Sequence, residues 1–424
     1  MRQKQPLYTV ILCAVLLLLS ACNTTTTTTT AQRAPWQTGT NEQMAAPEFS
    51  QGSPVEAARM TPQATPANSP ATKVAILLPL SGQHAAIGEA LLQAAQLALF
   101  DLNEQNFELM PRDTAGTAQG AAQAATSALN DGAQLILGPL FAHSVRSVKP
   151  IAAARSVNVI AFSTDWTLAG GNAFLMGFMP FSQVDRIVKY AAAKGVRTAG
   201  VIAPQDQYGN IAVSSFDSAA GKSGLQVTQR FRFNAAERNL TPLLKDFTSF
   251  DERGQNPSAP LPWQAVFMPV GGQQADAIGG ALSYYGATRD KVRKLGTGLW
   301  DDPRVAGLPH MQGAWFAAPS PKSRAGFENK YQSTYGSRPP RLATLAYDAA
   351  ALAIVLNRMG LTSKGMPSYD VSSITNPNGF AGIDGIFRFG RNGIVQRGLA
   401  VLEIRQRRLV EIDPAPKTFQ ALGY

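Results

Sequence analysis

From Lys73 onward, short apolar runs alternate with helical patterns, and few topologies satisfy that rhythm. Val74-Ala75-Ile76-Leu77-Leu78 is the first run, continuous in the way of a strand buried on both faces. Pro79-Leu80-Ser81-Gly82 ends it, and a helical pattern follows from about Ala85 to Leu102. Further strands are predicted at Phe107 to Met110, Gln134 to Leu137, Val157 to Phe162 and Phe174 to Phe178, with helices from about Ala118 to Leu129 and from near Ser144. After Pro180 the rhythm restarts. Strands at Ala199 to Ala203, Leu225 to Phe231, Ala265 to Met268 and Val292 to Leu295 alternate with helices near Gln183 to Ala193, Ile211 to Ala220, Leu240 to Phe250 and Gln273 to Tyr285. Repeated βα units imply parallel sheets covered by helices on both faces, with right-handed crossovers. The break at Met179-Pro180-Phe181 divides them into two sheets, so the expected fold is α/β with two lobes.

The rest of the chain changes character. Gly254 to Pro262 reads as an inserted loop, because Gly, Asn, Ser and Pro defeat both periodicities. Helices are expected near Ser323 to Tyr335 and Leu342 to Arg358. Strands follow at Gly385 to Phe389, Gly393 to Ile404 and Arg408 to Ile412, with turns at Gly390-Arg391-Asn392-Gly393 and Gln406-Arg407. A terminal antiparallel element on a parallel fold is the expected result.

The amino terminus carries an address. Arg2 and Lys4 precede an apolar run from Val10 to Leu19 that ends in small residues, the pattern of a secretory signal. The run is about half of the roughly 20 residues needed to span a bilayer. Leu19-Ser20-Ala21-Cys22 resembles a bacterial lipobox, which implies a signal over 1–21 and a lipid on the Cys22 thiol. Asn23, where an aspartate would signal inner-membrane retention, implies the outer membrane of a Gram-negative envelope, facing the periplasm. Residues 22–72, beginning with the threonine run Thr24 to Thr30, are rich in Thr, Pro, Gln, Ala and Ser; a lipidated, disordered tether with a reach of roughly 40 Å is expected.

Composition narrows the chemistry. The only cysteines are Cys13, inside the signal, and Cys22, so the mature fold has no disulfide, thiolate nucleophile or cysteine metal site. The formal net charge of +10 suits an anionic partner, but export argues against nucleic acid. The densest basic region is Arg388, Arg391, Arg397, Arg405, Arg407 and Arg408, which alternating strands would present as a solvated sheet face. Enzyme signatures are missing. Gly221-Lys222-Ser223 has Phe216 where a phosphate-cradling loop needs glycine, and no Gly-x-Ser-x-Gly elbow occurs. His84, His143 and His310 are too dispersed for a sequence-evident zinc motif, although His84 and His143 both fall in loops after first-lobe strands. No enzyme activity, cofactor or metal is expected.

One ordered set of short motifs carries a family resemblance. The set is Leu77-Leu78-Pro79-Leu80-Ser81-Gly82 with Gly88, Asp113-Thr114, Gly138-Pro139-Leu140, Phe162-Ser163-Thr164, Asp206-Gln207-Tyr208-Gly209 and Asp384-Gly385-Ile386-Phe387-Arg388-Phe389. It resembles the type I periplasmic-binding-protein family of the leucine-binding kind from about Lys73 to Ile412. The resemblance implies one domain over 73–424 in two lobes, about 73–179 with 302–380 and about 180–301 with 381–424. Three crossings join them, near Phe178 to Phe181, Thr297 to Asp301 and Phe380 to Gly385, and ligands would meet the cleft at the carboxyl ends of the strands. Within the family the chain is similar to penicillin-binding-protein activator lipoproteins, which share the Leu-Leu-Pro-Leu-x-Gly opening, the Gly-Pro-Leu turn and the lipid. Their best-studied members add an amino-terminal helical-repeat domain where this chain has its Thr-rich segment.

Residue by residue, the resemblance points to a cleft made of Ser81, Ser144, Ser163, Thr164, Asp165, Tyr208 and Asp301. Hydroxyls and free amides at helix starts suit a ligand carboxylate, and an acid suits its ammonium. Ser144 is either such a hydroxyl or a plain helix N-cap. Ser163 and Thr164 end a strand. Asp165 falls where amino-acid receptors have a threonine, and its charge would repel a ligand carboxylate. Tyr208 would cap the ligand from the second lobe or pack on its own lobe. Trp300-Asp301-Asp302 is the nearest match for the ammonium-binding acid, and also reads as a turn. Two functions follow: a non-enzymatic regulator acting on a peptidoglycan synthase, or the receptor of an ABC permease for amino acids or related small solutes.

Overall fold

A computed structural model describes residues 58–59, 71–104, 106–237, 239–256 and 258–419. The predicted signal, Cys22 and most of the 22–72 tether lie outside the described residues. The exceptions correct the tether's end. Ala58–Arg59 (β1) pair in parallel with Phe380 and Ala381, and Thr72, expected in the tether, opens the first core strand.

Lobe 1 is built on β2 (Thr72–Leu78), β3 (Phe107–Asp113), β4 (Leu135–Leu137), β5 (Asn158–Ala161) and β6 (Ala173–Leu175). Their order is β3-β2-β4-β5-β6, and every pairing is parallel. Val74 to Leu78 and Leu135 to Leu137 are fully buried, as continuous apolar runs between two helical layers must be. Helices α1 (Ala85–Leu102), α2 (Ala118–Asn130) and α3 (Ala142–Ala153) form the crossovers. With its preceding turn, α1 is long and apolar enough to cross a membrane, yet Leu91, Ala94, Ala95 and Ala98 are buried in the lobe 1 core.

The second lobe repeats the plan. Helix α4 (Pro180–Ala193) leads to β7 (Thr198–Pro204), α5 (Gln207–Lys222), β8 (Gln226–Phe233) and α6 (Thr241–Phe247). Then come β9 (Ala265–Phe267), α7 (Gly272–Tyr284), β10 (Arg293–Gly296), α8 (Pro303–Gly307) and β11 (Trp315–Ala318). The chain returns to lobe 1 with α9 (Pro321–Tyr335), α10 (Ala343–Lys364) and α11 (Val371–Ile374). Next are β12 (Phe380–Gly382), β13 (Gly385–Phe389) and β14 (Val395–Arg397), then β15 (Ala400–Arg405) and β16 (Arg408–Asp413). The lobe 2 sheet has the order β16-β15-β11-β10-β9-β7-β8, parallel except for its last two strands in sequence.

Two crossings differ from expectation. Strand β11 lies between β10 and β15, so 302–318 belong to lobe 2, and the second crossing falls at Pro319-Ser320 rather than Thr297 to Asp301. Phe380, Phe387, Phe389 and Val395 pack in the lobe 1 core, which moves the third crossing from Phe380–Gly385 to Gly398-Leu399. There the run expected as one strand, Gly393 to Ile404, splits into β14 and β15. The physical reason is the isolated parallel bridge of Ile394 to Leu175, which ties the third sheet, β1-β12-β13-β14, to the edge of lobe 1 before the chain turns back.

Two glycines of the recurring motifs are required by close approach. A Cβ on Gly88 would lie 2.0 Å from the Pro79 carbonyl oxygen, where α1 presses on the loop after β2. Gly138 has φ +79°, and its Cβ would meet the Leu77 oxygen at 2.4 Å.

Candidate functional site: the interlobe cleft and its hinge

The carboxyl ends of the lobe 1 strands are stitched by one carboxylate. Asp113, ending β3, accepts the amides of Leu80 (2.9 Å), Ser81 (3.2 Å) and Ala115 (2.7 Å). Burial pushes the Asp113 carboxyl up, but the Ser81 hydroxyl and these amides outweigh it and hold the group below its ordinary value. Ser81 is thereby committed to the scaffold.

Beside this knot stands a partly exposed ladder of rings. The His84 and Phe141 centroids are 4.7 Å apart, and Phe141 stacks on His143 at 5.6 Å with 12° between planes. His143 Nε2 donates to the Gly116 carbonyl at 2.9 Å, since a carbonyl can only accept. The Gln83 amide and His84 Nε2 are 2.9 Å apart, so the imidazole nitrogen accepts there. Phe141 precedes α3 without capping it by a side chain, so the first amides of that helix have no side-chain acceptor. His310 stands apart in lobe 2, with Nε2 3.1 Å from Asp276 Oδ1.

The predicted residues divide into those that meet across the lobes and those that do not. Ser144 is fully buried in the first turn of α3 and donates to the Thr117 carbonyl at 3.3 Å; it is neither the N-cap nor open to a ligand. Ser163 is buried, and its hydroxyl accepts the Asp165 amide at 3.0 Å, whereas Thr164 is exposed on the same loop. Asp165 caps a short 3-10 turn, accepting the Thr167 hydroxyl (2.6 Å) and amide (3.2 Å). Gln207, the first residue of α5 in lobe 2, reaches it at 3.4 Å, so this contact bridges the loops after β5 and β7. Asp206 caps α5 through the Gly209 amide at 2.7 Å. Tyr208 packs on its own lobe. Its hydroxyl is 2.8 Å from Thr297 Oγ1, and burial pushes it up to about 12 against that hydrogen bond.

Asp301 belongs to the hinge. Only 3% of its side chain is exposed, and two lobe 1 arginines saturate it. Arg324 on α9 donates to both oxygens, at 2.6 and 2.9 Å, and Arg341 Nε to Oδ2 at 2.9 Å. Arg341 continues to Asp384 at 2.9 and 3.2 Å, and the Thr344 hydroxyl adds 2.6 Å. Burial pushes the Asp384 carboxyl up, but Arg341 and Arg397 together hold it below the usual carboxylate range. The Phe178 ring, in the first crossing, takes cation–π contacts from the guanidinium groups of Arg341 (4.3 Å) and Arg397 (5.0 Å). Asp348 on α10 accepts the Ile383 amide at 2.7 Å, while its Oδ2 is buried without a partner among the described residues. Burial and the Asp384 charge push it up to about 7. The two acids of this network, Asp301 and Asp384, each stood in a short motif, but their arginines did not. Arg324, Arg341 and Arg397 meet their partners only through the crossings, and no local spacing marks them.

A separate surface groove lies away from these loops. An open groove of about 690 Å³, lined by Lys149, Ser156, Asn158, Asn172 and Asp370, sits at the opposite, amino-terminal ends of the lobe 1 strands. The cleft is therefore identified by its two facing loop sets and not by depth.

The periplasmic binding protein family profile matches residues 71–406. No curated protein matches the chain. Among solved structures, a branched chain amino acid ABC transporter periplasmic ligand-binding protein from Burkholderia xenovorans LB400 is 18% identical with a TM-score of 0.66, over 83% of this chain and 97% of that one. A leucine binding protein from Thermotoga maritima is 20% identical with a TM-score of 0.57, over 80% and 97%. A solute binding protein of an ABC transporter from Rhodopseudomonas palustris BisB5, in complex with 3,4-dihydroxy benzoic acid, is 17% identical with a TM-score of 0.60, over 81% and 96%. At such identities the likeness is one of fold. With its profile match, parallel sheets and three crossings, the chain belongs to the periplasmic binding protein family.

Proposed function

We propose that this protein is a substrate-binding receptor of an ABC importer that takes a small carboxylate with an apolar or planar body. The observation that carries the reading is the lobe 1 face. The amides of α3 that lack a side-chain cap adjoin the His84–Phe141–His143 ladder, which offers an apolar ring and two imidazole groups beside an anion-favouring helix start. A zwitterionic amino acid fits less well. Asp301 is saturated by Arg324 and Arg341, and Asp165 is engaged at Oδ1 by Thr167 and Gln207 while its Oδ2 faces the Arg146 guanidinium at 3.5 Å, so both carboxylates already have partners an ammonium group would have to displace. Of the related folds, one is a leucine binding protein and another is in complex with 3,4-dihydroxy benzoic acid, which is compatible with this ligand class. We extend the reading to a non-enzymatic, exported lipoprotein anchored through Cys22. Titration of purified protein with benzoate, hydroxybenzoates, branched-chain amino acids and 2-oxo acids tests it; saturable binding confined to the carboxylates supports it, and binding confined to amino acids contradicts it.

A second reading, a regulator of a peptidoglycan synthase, is favoured by one observation: the lobes are joined by the chain's own Asp301–Arg341 and Gln207–Asp165 contacts, with no solute needed to bridge them. Crosslinking from membranes that recovers a penicillin-binding protein, with no solute binding, would select it.

A further inference from the structure

The lobe 2 sheet concentrates positive charge along one edge. Its parallel strands all begin there, and the β15–β16 hairpin turns there too, because β15 runs antiparallel to β11 with Glu403 opposite Trp315. Arg289, Lys291 and Arg293 lead into β10, and Arg405, Arg407 and Arg408 form the hairpin tip. Lys194 and Arg197, just before β7, extend the row. Arg293 is fixed in place, donating to the Gly313 carbonyl with its guanidinium 4.3 Å from the Trp315 centroid. Glu403 is engaged by Arg405 at 2.9 Å, and Asp251 in a neighbouring loop by Lys245 at 2.7 Å. Asp290 stands between Arg289 and Lys291, and Glu252 beside Arg253. Arg289, Arg407 and Arg408 are exposed and make no ion pair among the described residues.

The hairpin tip adds an independent observation. Gln406 and Arg407 have φ +51° and +61°, a turn in which Asn-Gly is the relaxed choice. The chain keeps a guanidinium at the outermost point despite backbone strain there. Tyr284, the last residue of α7, is 74% exposed and precedes the Arg289 loop, an aromatic side chain of the kind enriched at membrane–water boundaries. Seven strands at the usual spacing make the edge roughly 30 Å wide.

We propose that this edge is a docking face for a membrane surface rich in anionic phospholipid headgroups. Guanidinium groups pair bidentately with phosphates, and a broad cationic edge with one exposed tyrosine matches a flat anionic interface better than a single thin polymer strand. The cleft loops lie at the other ends of the same strands, so docking leaves them open. The proposal goes beyond the solute reading and holds whichever solute the cleft takes.

The test is partitioning of the full-length protein onto phosphatidylcholine vesicles and onto vesicles with about 30% phosphatidylglycerol. Any amino-terminal lipid contributes equally to both and cancels in the ratio. The expected preference for anionic vesicles is at least about tenfold at roughly 0.1 M salt, shrinking at 0.5 M. A triple variant, Arg289→Ser, Arg407→Gly and Arg408→Ser, should lose that preference, while the same sites changed to Lys should keep it. A melting curve separates binding from folding, because Arg407→Gly relieves the turn and should not lower stability. Equal partitioning to both vesicles, or an unchanged preference in the triple variant, overturns the proposal. So does equal partitioning with retention on a soluble anionic glycan, which would assign the face to a polymer.

Discussion

Arg341 Nε of lobe 1 holds Asp301 Oδ2 of lobe 2 at 2.9 Å, and the same guanidinium grips Asp384 at 2.9 Å. One side chain thus joins the end of the lobe 2 sheet to the β12–β13 turn of lobe 1. The acid that the family resemblance offered as the nearest candidate for a ligand ammonium is instead part of the frame on which the lobes are mounted. Removing one partner of a buried ion pair strands the other, so Asp301→Ala should cost about 3 to 5 kcal/mol. Urea unfolding monitored by tryptophan fluorescence measures it; a loss within about 0.5 kcal/mol would mean that the pair is solvated and idle.

Asp348 gives the hinge a pH dependence of predictable sign. Its carboxyl is raised to about 7, above the value near 3.9 of an unfolded chain, so between those limits the folded state binds the extra proton. Its contribution is complete below about pH 4 and declines as pH rises through about 7. Asp384, held low by Arg341 and Arg397, acts oppositely and loses its contribution only below about pH 4, as pH falls through its depressed value. Between pH 4.5 and 7.5 the stability of Asp348→Asn should therefore fall less steeply than that of the wild type in denaturant titrations at several pH values.

Gly88→Ala places a methyl group 2.0 Å from the Pro79 oxygen, and neither the strand end nor the helix can yield cheaply. Overpacking of this kind costs about 3 kcal/mol. The melting temperature should drop by several degrees, whereas Gly221→Ala, with open space around its Cβ, should leave it unchanged or slightly raised.

Cys22→Ser should abolish incorporation of labelled palmitate and, at about 0.5 M salt where the basic edge is screened, release the protein from the membrane fraction, while circular dichroism of the folded domain stays the same. Labelled palmitate retained in the Ser variant would contradict anchoring at Cys22.

Legibility in the sequence followed physical range. Val74 to Leu78 announced a doubly buried strand because continuous apolar runs have few other uses, and the two-lobed α/β class followed. Trp315–Ala318 was missed as a strand; four residues carry too little periodicity, and its place beside β10 is decided by tertiary pairing. Ser144 read equally as a ligand hydroxyl or a cap, yet Phe141 is the residue before α3 and Ser144 is drawn inward to the Thr117 carbonyl. Asp301 looked available because its arginines lie 23 and 40 residues away in sequence. His84 and His143 were expected in loops after strands, but His143 is the second residue of α3, and the Phe141 ring between them is a contact no spacing rule predicts.

The most direct test of the receptor reading is isothermal titration of the purified protein with benzoate-like and branched-chain carboxylates, alongside His143→Ala and Phe141→Ala variants. The account predicts saturable binding of at least one carboxylate, stabilising the fold by about 2.7 kcal/mol at a hundredfold excess over Kd, and weakened about tenfold or more in each variant. No heat and no stabilisation from any carboxylate, or affinity unchanged in both variants, would contradict it.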